Sequence, residues 1–358
     1  MYFKTIGRKR RDHFSILSHF ILYFFMIPRN LPFASCLKHL LTIVPAVICG
    51  CSGEMPHEVP LYKSHSISFS PEQNDLAKGG TLDIFAFETD RLRRLDSYQR
   101  IETFIGGKVR IASCGGEKAL FLCADSRRNR YEWSDISSYN SLTGISCELE
   151  HESITRRTMT GECIVNAGET SATVTLMPLT CEIILKAICC DFSGTPYSES
   201  VIKNVKAYMT NVSASCPLLY SDSVTSTRII NQGMLCQTDI SKFRHMEIIT
   251  REIAEEVGRE TIHTDARFLC YPNTPKEDSP GSPFTRLVIE GVIGSHTYYW
   301  PITINAPTGV ERGCRYVYDV FIRRKGVTDP DIPIEPSSIE LNMKIRSWNE
   351  KEEYSVGF

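Results

Sequence analysis

Cysteine is the reactive residue type that stands out in this chain, which has 14 cysteines among 358 residues. Thiols can form disulfides, bind zinc or accept an acyl group, and their spacing separates these possibilities. Without Cys36, Cys49 and Cys51 eleven remain, an odd number with no regular spacing, and no Cys-x-x-Cys pair follows Cys51. The spacing therefore favours neither a disulfide framework nor a tetrahedral zinc site.

Most of the later cysteines lie inside or beside apolar, strand-like runs: Cys123, Cys163, Cys181, Cys189, Cys190 and Cys270. In such surroundings a free cysteine behaves as a small hydrophobic residue. Neighbouring Cys189 and Cys190 would point to opposite faces of a strand, which disfavours a bridge between them. We therefore expect most of these cysteines to be packing residues.

Cys51 differs from the others because it ends a short apolar run, residues 40–50, and begins a polar segment. An apolar run of this length, with cationic residues before it, is typical of a secretory signal peptide rather than a membrane span or a core segment. Ile48-Cys49-Gly50-Cys51 resembles the bacterial lipobox, whose last cysteine is acylated and becomes the first mature residue. Cys49 departs from the pattern, where Ala, Ser or Thr is usual. We expect lipidation of Cys51 and anchoring by its acyl chains.

A second apolar run, residues 14–27, precedes this segment and is shorter than the roughly 20 residues of a membrane-spanning helix. Because Met26 stands in front of a well-proportioned signal peptide, we expect residues 1–25 to come from an over-extended gene start. The predicted order is then a signal peptide within 1–50 and a lipidated tether at 51–63.

Residues beyond the tether form short alternating or apolar runs separated by Gly, Pro, Asn, Asp and Ser, which is typical of antiparallel β structure. The predicted strands are 65–69, 81–88, 97–104, 119–124, 161–165, 171–177, 182–191, 203–212, 267–271, 284–293, 296–304, 316–323 and 338–345. Helix is predicted only near 134–143 and 240–256, with Gly258 suited to cap the second. The sequence therefore predicts an all-β fold built from β-sandwiches.

A break at Met177-Pro178-Leu179 predicts the division between an N-terminal sandwich, 64–177, and a C-terminal sandwich, 178–358. Residues 81–88 have apolar side chains on both faces and are predicted to form a central strand. In the segment 298–304, Pro301 lacks a donor for the sheet and predicts an edge strand or a bulge.

The most regular alternation lies near the C-terminus, in residues 338–346. Ile339, Leu341, Met343 and Ile345 share one face, and polar residues share the other, so the strand has one dry and one wet face. A tether with three prolines, 326–336, precedes it. This strand could fold back into its own sandwich, or it could complete a sheet in another subunit.

Catalytic and ligand-binding patterns are weak. No nucleophile elbow, His-Glu-x-x-His pair, P-loop or dinucleotide fingerprint occurs. His263-Thr-Asp265 lacks an activated nucleophile nearby in sequence, Asp329 and Asp331 lack the dense oxygen spacing of a calcium loop, and Tyr298-Tyr-Trp300 is more typical of packing than of sugar stacking. A formal net charge of −2 without a basic stripe excludes nucleic acid as an implied partner. We expect no enzyme activity, cofactor or metal.

Several segments together resemble the fimbrillin-like proteins of Bacteroidales, and within them the FimB-type minor, anchoring subunits. They are Leu82-Asp-Ile-Phe-Ala-Phe87, residues 268–273, 285–289 and 315–320, Tyr298-Tyr-Trp-Pro-Ile302, and Asp329-Pro-Asp-Ile-Pro333 with a later Trp348-Asn349. The resemblance implies two tandem transthyretin-like sandwich domains, a lipoprotein precursor, and polymerisation by strand exchange. It also implies partners: a major fimbrillin, accessory subunits, and the outer membrane reached through the lipid.

Stalk subunits of that family lose their first strand to a protease that cuts after Arg or Lys, and a neighbour's C-terminal strand fills the groove. The base subunit keeps its lipid and only donates. Here only Lys63 and Lys78 flank the first predicted strand, and no arginine lies between Cys51 and Arg91. The resemblance thus favours an anchor or accessory subunit that donates through Ile339, Leu341, Met343 and Ile345. A surface glycan-binding or glycan-degrading lipoprotein is the alternative, since it would share the lipobox and the β-rich composition.

Overall fold

The computed structural model describes residues 63–69, 80–105, 107–125, 133–221, 228–231, 243–276, 283–334, 338–347 and 354–357, all within one compact unit, 60–358. Strands dominate these residues. In chain order β1 to β21 are Lys63–Phe69, Leu82–Glu88, Leu95–Ile101, Lys108–Ser113, Lys118–Ala124, Ser146–Glu148, Met159–Val165, Ser171–Val174, Met177–Pro178, Cys181–Cys190, Ile202–Thr210, Val212–Ser213, Ser215–Pro217, Ile229–Ile230, Thr250–Val257, Ile262–Cys270, Arg286–Ile293, His296–Thr303, Cys314–Ile322, Ile339–Ser347 and Tyr354–Gly357.

Apart from β6, the strands before residue 179 form a first pair of sheets, ordered β3-β2-β5-β7-β9 and β4-β1-β8. Ile67 from β1 and Ile111 from β4 pack with Ile84 and Leu122 from the larger sheet in one buried cluster. Because side chains alternate along a strand, the other face of β2 is free to carry Phe85 into a second cluster. This arrangement confirms that β2 is central and buried on both faces.

Most of the later strands form a second pair of sheets, ordered β16-β10-β19-β20-β21 and β15-β11-β17-β18, while β12 pairs with β14 in a separate two-stranded sheet. Between them lie large, fully buried side chains, among them Trp300, Tyr316 and Phe268. Most neighbours pair antiparallel, whereas β10 pairs parallel with β19 and β1 parallel with β8. Pro301 lies in β18, an edge strand of its sheet, as its missing donor predicts.

The two pairs of sheets contact each other through strand pairing and side-chain packing, in addition to being connected along the chain. β6 from the first part of the chain pairs antiparallel with β13 from the second, and one hydrophobic cluster continues from Phe85 to Trp300. The step from β9 to β10 lies at residues 178–181, and the division into two domains at 177–179 stays a prediction.

The helix predicted at 240–256 is wrong where the structure describes it. A short 3₁₀ turn, Met246–Ile248, leads into β15, which pairs antiparallel with β11. Opposite Val205 and Lys206 the register shifts by one residue, which places Ile253 in a bulge beside Ala254. Because a bulge interrupts the alternation of period two, it produces a spacing of apolar residues that resembles a helix. Gly258 consequently follows a strand and caps no helix.

Two further sequence expectations need correction. The helix predicted at 134–143 is a pair of 3₁₀ turns, Trp133–Asp135 and Tyr139–Gly144. β4 was not predicted, although Lys108–Ser113 alternates strictly between exposed and buried residues. Its two buried apolar residues, Val109 and Ile111, gave too short a pattern to identify the strand from the sequence.

Candidate functional site

The proposed lipidation site and signal peptide, with Cys51, lie outside the described residues. Lipidation of Cys51 therefore stays a prediction. Within the described part of the chain, no helix combines the length and the hydrophobicity needed to cross a membrane.

The predicted donor strand is β20, and it lies in its own sheet. It pairs antiparallel with β19 along its whole length, from Ile339 opposite Ile322 to Ser347 opposite Cys314. Met343 is buried, and Ile339, Leu341 and Ile345 pack half-buried against the same hydrophobic cluster. Glu340 and Asn342 are exposed. The structure thus confirms the dry and wet faces, with the dry face turned inward, while donation itself stays a prediction.

The outer edge of β20 is covered only in part. β21 pairs with residues 342–345, so the main-chain groups at both ends of β20 have no partner strand on that side among the described residues. Such a short final strand blunts a sheet edge without closing it.

The tether before β20 is fixed at its start. Val327 exchanges two main-chain hydrogen bonds with Tyr299 of β18, at 2.8 and 2.9 Å. A side chain at Gly326 would overlap the backbone of Tyr299, so glycine permits this close approach. After β19 the described part of the tether therefore reaches the opposite sheet at Tyr299. Its Asp331 main-chain N–H donates to Asp329 Oδ1 at 2.9 Å, and the described residues include no cluster of three or more metal-ligating side chains.

The first strand, β1, lies between β4 and β8 and is the middle strand of its sheet. Ile67 is fully buried, and His65 is 2% exposed with neither ring nitrogen hydrogen-bonded among the described residues. Lys63 is the first residue of β1, so cleavage after it would leave the strand in place. Lys78 lies outside the described residues, in the segment after β1 that a protease would have to cut to free it.

A buried ionic group, which was not predicted from the sequence, joins the two pairs of sheets. Glu182 in β10 is fully buried, and its carboxylate accepts hydrogen bonds from Arg157 Nη2 at 2.9 Å and Arg315 Nε at 2.6 Å. Burial by itself would raise the pKa of Glu182, but the charges of Arg157 and Arg315 outweigh it and hold the pKa below its usual value. A lone glutamate inside an apolar run indicates such a group, although it does not reveal the partners.

A second buried carboxylate, Glu152, lies close to this junction. Its Oε2 accepts the Thr158 main-chain N–H at 3.0 Å, and its Oε1 accepts the Tyr271 hydroxyl at 3.1 Å. Burial raises the pKa of Glu152, because these neutral donors compensate only part of the lost hydration.

Arg312 completes the connection across the step from β9 to β10. Its Nη2 donates to Thr160 Oγ1 at 2.7 Å and to the Met177 carbonyl at 2.9 Å. We name the set Glu152, Arg157, Glu182, Tyr271, Arg312 and Arg315 the buried junction. Its hydrogen bonds and charges hold the two pairs of sheets in a fixed relation.

Residues that could have supported enzymatic or sugar-binding chemistry are placed otherwise. Trp300 is fully buried and its Nε1 donates to the Arg324 carbonyl at 3.0 Å, and Tyr299 is also buried, so these rings form no exposed stacking platform. Asp265 is paired with Arg267 at 3.2 Å rather than held against His263.

The fold is that of a class of solved bacterial fimbrial and cell-adhesion proteins. No family model and no curated protein matches the sequence. A Parabacteroides distasonis protein named for cell adhesion has a TM-score of 0.58 at 14% identity, and the match covers 82% of this chain and 99% of that one. A Bacteroides eggerthii protein named likewise gives 0.57 at 15% identity over 80% and 96%.

A fimbrilin from Porphyromonas gingivalis, FimA, has the same fold. The TM-score is 0.56 at 14% identity, and the match covers 80% of this chain and 97% of the fimbrilin. At this identity the likeness shows the fold, and it confirms the all-β prediction made from the sequence.

Proposed function

We propose that this chain is a structural subunit of a cell-surface fimbria and supports adhesion rather than catalysis. The observation that carries the proposal is the fold match over 97% of a solved fimbrilin. The buried junction supports it too, because a subunit in a fibre must transmit tension between its sheets without separating them. Its charged hydrogen bonds end on the fully buried carboxylate of Glu182 and resist such separation.

Assembly would proceed by donation of β20 to a neighbouring subunit. The strand has the features that an exchanged strand requires: an inward row of apolar side chains and main-chain groups paired with only one other strand over most of its length. Leaving β19 and pairing with another chain would replace one set of main-chain hydrogen bonds and one buried apolar face by another. Because the two states contain similar contacts, exchange is energetically feasible.

The place of this subunit in the fibre follows from its two ends. We infer that Cys51 carries the lipid and holds the outer membrane, while Ile339, Leu341, Met343 and Ile345 enter the next subunit. Such an anchor donates a strand and has no need to accept one, so β1 would stay in its sheet. Its partners would be the major fimbrillin or an accessory subunit.

Photo-crosslinking from β20 tests donation directly. A photoreactive amino acid in place of Leu341 lies opposite Val320 in the free chain and should crosslink within it. In fimbriae isolated from the native host, the same position should crosslink to a second subunit. A matched probe at Val288, which is fully buried in β17, should link only within its own chain in both samples. Purely intrachain crosslinks from position 341 in assembled fimbriae would show that β20 is not donated.

Deletion of residues 338–358 provides a second test, with deletion of 354–358 as the control because it removes only β21 and its flanking residue. Circular dichroism establishes whether each purified variant is folded. Loss of co-purification with fimbriae is expected for the longer deletion alone. A folded longer deletion that still co-purifies would refute donation.

Membrane anchoring is tested by Cys51→Ala and by mass spectrometry of the native N-terminus. We expect the wild-type chain to begin at an acylated Cys51 and the variant to leave the membrane fraction without detergent. A free N-terminus after Lys78 would instead identify a processed subunit that has lost β1.

A further inference from the structure

Two of the buried cysteines lie directly opposite each other. Cys181 begins β10, Cys270 ends β16, and the antiparallel register pairs them. Both are fully buried and belong to the same hydrophobic cluster. Directly opposed residues of an antiparallel pair point their side chains to the same face, so the two thiols lie side by side.

The spacing suits a disulfide. Opposed Cα atoms in an antiparallel pair are about 4.5 to 5.5 Å apart, within the range of about 4.4 to 6.8 Å found across disulfides. In the reduced chain the Cys181 thiol donates to the Glu311 carbonyl at 2.9 Å, and Cys270, Cys314 and Cys216 are its cysteine neighbours. The antiparallel register selects Cys270 among these cysteines, because it is the one that the strand pairing places directly opposite Cys181.

We propose that Cys181 and Cys270 form a disulfide in the mature protein. The oxidant is a disulfide of a small thiol or of an oxidoreductase. Its S–S bond breaks and the Sγ–Sγ bond forms, while the two cysteines lose two protons and two electrons and the oxidant takes them up to become two thiols. Both thiols are inaccessible after folding, so the reaction accompanies folding. Its occurrence in the cell rests on the proposed surface location, because disulfides persist in oxidising compartments.

This bond would stabilise the buried junction. Cys181 directly precedes Glu182, and Cys270 directly precedes Tyr271, so the crosslink fixes the main chain beside both side chains. It also closes a loop of about 90 residues, a length at which a crosslink strongly restricts the unfolded chain. The bond joins β10 to β16 within one sheet, so it would reinforce the second pair of sheets beside the junction with the first pair.

Refolding of the full chain tests the proposal without reference to fimbriae. The chain is denatured, reduced and refolded with oxidised and reduced glutathione, and is then digested without reduction by trypsin and a glutamate-specific protease. Cleavage after Glu169 and Glu182 isolates Cys181 in the peptide 170–182, and tryptic cleavage isolates Cys270 in 268–276. We expect these two peptides joined by a disulfide, and a higher midpoint of thermal unfolding for the oxidised chain.

Variants identify the bond. Cys270→Ala should abolish the joined peptide and the difference in unfolding midpoint between oxidised and reduced chain. Cys190→Ala truncates a cysteine that is equally buried but lies opposite Ile322, and it should retain both. Recovery of 170–182 and 268–276 with free thiols from the folded wild-type chain, or of Cys181 joined to Cys216 or Cys314, would overturn the proposal. If the joined peptide forms on refolding while protein isolated from native cells has free thiols at these positions, the proposed surface location is contradicted. The proposed pairing of Cys181 with Cys270 is then still supported.

Discussion

The two buried glutamates of the junction should respond in opposite ways to the same substitution. Glu182→Gln removes the charge that compensates Arg157 and Arg315, of which Arg157 is only 7% exposed. Breaking one side of a buried ion pair in this way costs about 3–5 kcal/mol of the free energy of unfolding. Glu152→Gln removes a charge that accepts from the neutral donors Thr158 and Tyr271, and its amide can still accept from Thr158 and donate to Tyr271. Its free energy of unfolding at pH 7 should stay the same or rise.

The pH dependence follows from the direction of each pKa shift. The lowered pKa of Glu182 contributes stability that is complete above the unfolded value of about 4.3 and is lost as the pH falls through the folded pKa. The raised pKa of Glu152 has the opposite sign: stability declines as the pH rises from about 4.3 through the folded pKa. Glu182→Gln should therefore reduce the loss of stability as the pH is lowered. Glu152→Gln should reduce the loss of stability as the pH rises toward neutral.

Urea unfolding followed by tryptophan fluorescence measures both effects, since Trp300 is fully buried in the wild-type fold. Glu182→Gln should lower the urea midpoint by about 1 M or more at an m-value of roughly 3 kcal/mol/M. Combining Glu182→Met with Arg157→Met should recover part of that loss, because the buried Arg157 charge is removed with its partner, whereas Arg315 is about one third exposed and can be hydrated. The reasoning would be refuted if both substitutions lowered the free energy of unfolding equally, or if Glu182→Gln lowered it by less than about 1 kcal/mol.

Three further predictions concern β1, the core and β20. His65→Ile should raise the free energy of unfolding by about 1 kcal/mol and slow hydrogen exchange in β1, because it removes a buried imidazole that lacks a partner among the described residues. Gly161→Ala should cost about 1–3 kcal/mol in urea unfolding, since its Cβ would overlap a backbone oxygen, whereas Gly258→Ala meets only a van der Waals contact and should change little. Met343→Lys should destabilise the free chain by about 2–5 kcal/mol, whereas Asn342→Lys, on the exposed face of the same strand, should stay within about 0.5 kcal/mol.

Each of these comparisons has a contradicting outcome. A destabilising His65→Ile would mean that the imidazole is hydrogen-bonded in solution. Equal effects of the two glycine substitutions would show that the close approach at Gly161 relaxes freely. Equal effects of the two lysine substitutions would show that the dry face of β20 is not held against the core.

Most strands could be predicted because their side chains alternate or are uniformly apolar between turn residues, as in β2 and β20. The prediction failed where a local irregularity altered the period: the bulge at Ile253 made β15 resemble a helix. It also missed β4, which is short and contributes two apolar side chains. Such failures are expected when tertiary pairing, rather than local pattern, decides the backbone conformation.

By itself the sequence determined the all-β class, the buried position of β2 and the two faces of β20, and it limited β18 to an edge or a bulge, because burial and proline chemistry act through short-range patterns. Tertiary structure decided which distant residues meet. Arg157, Glu182 and Arg315 join one ionic group, and Cys181 lies opposite Cys270, through strand pairings between segments far apart in the chain. Periodicity records which face a residue occupies, and it contains no information about the strand that lies beside it.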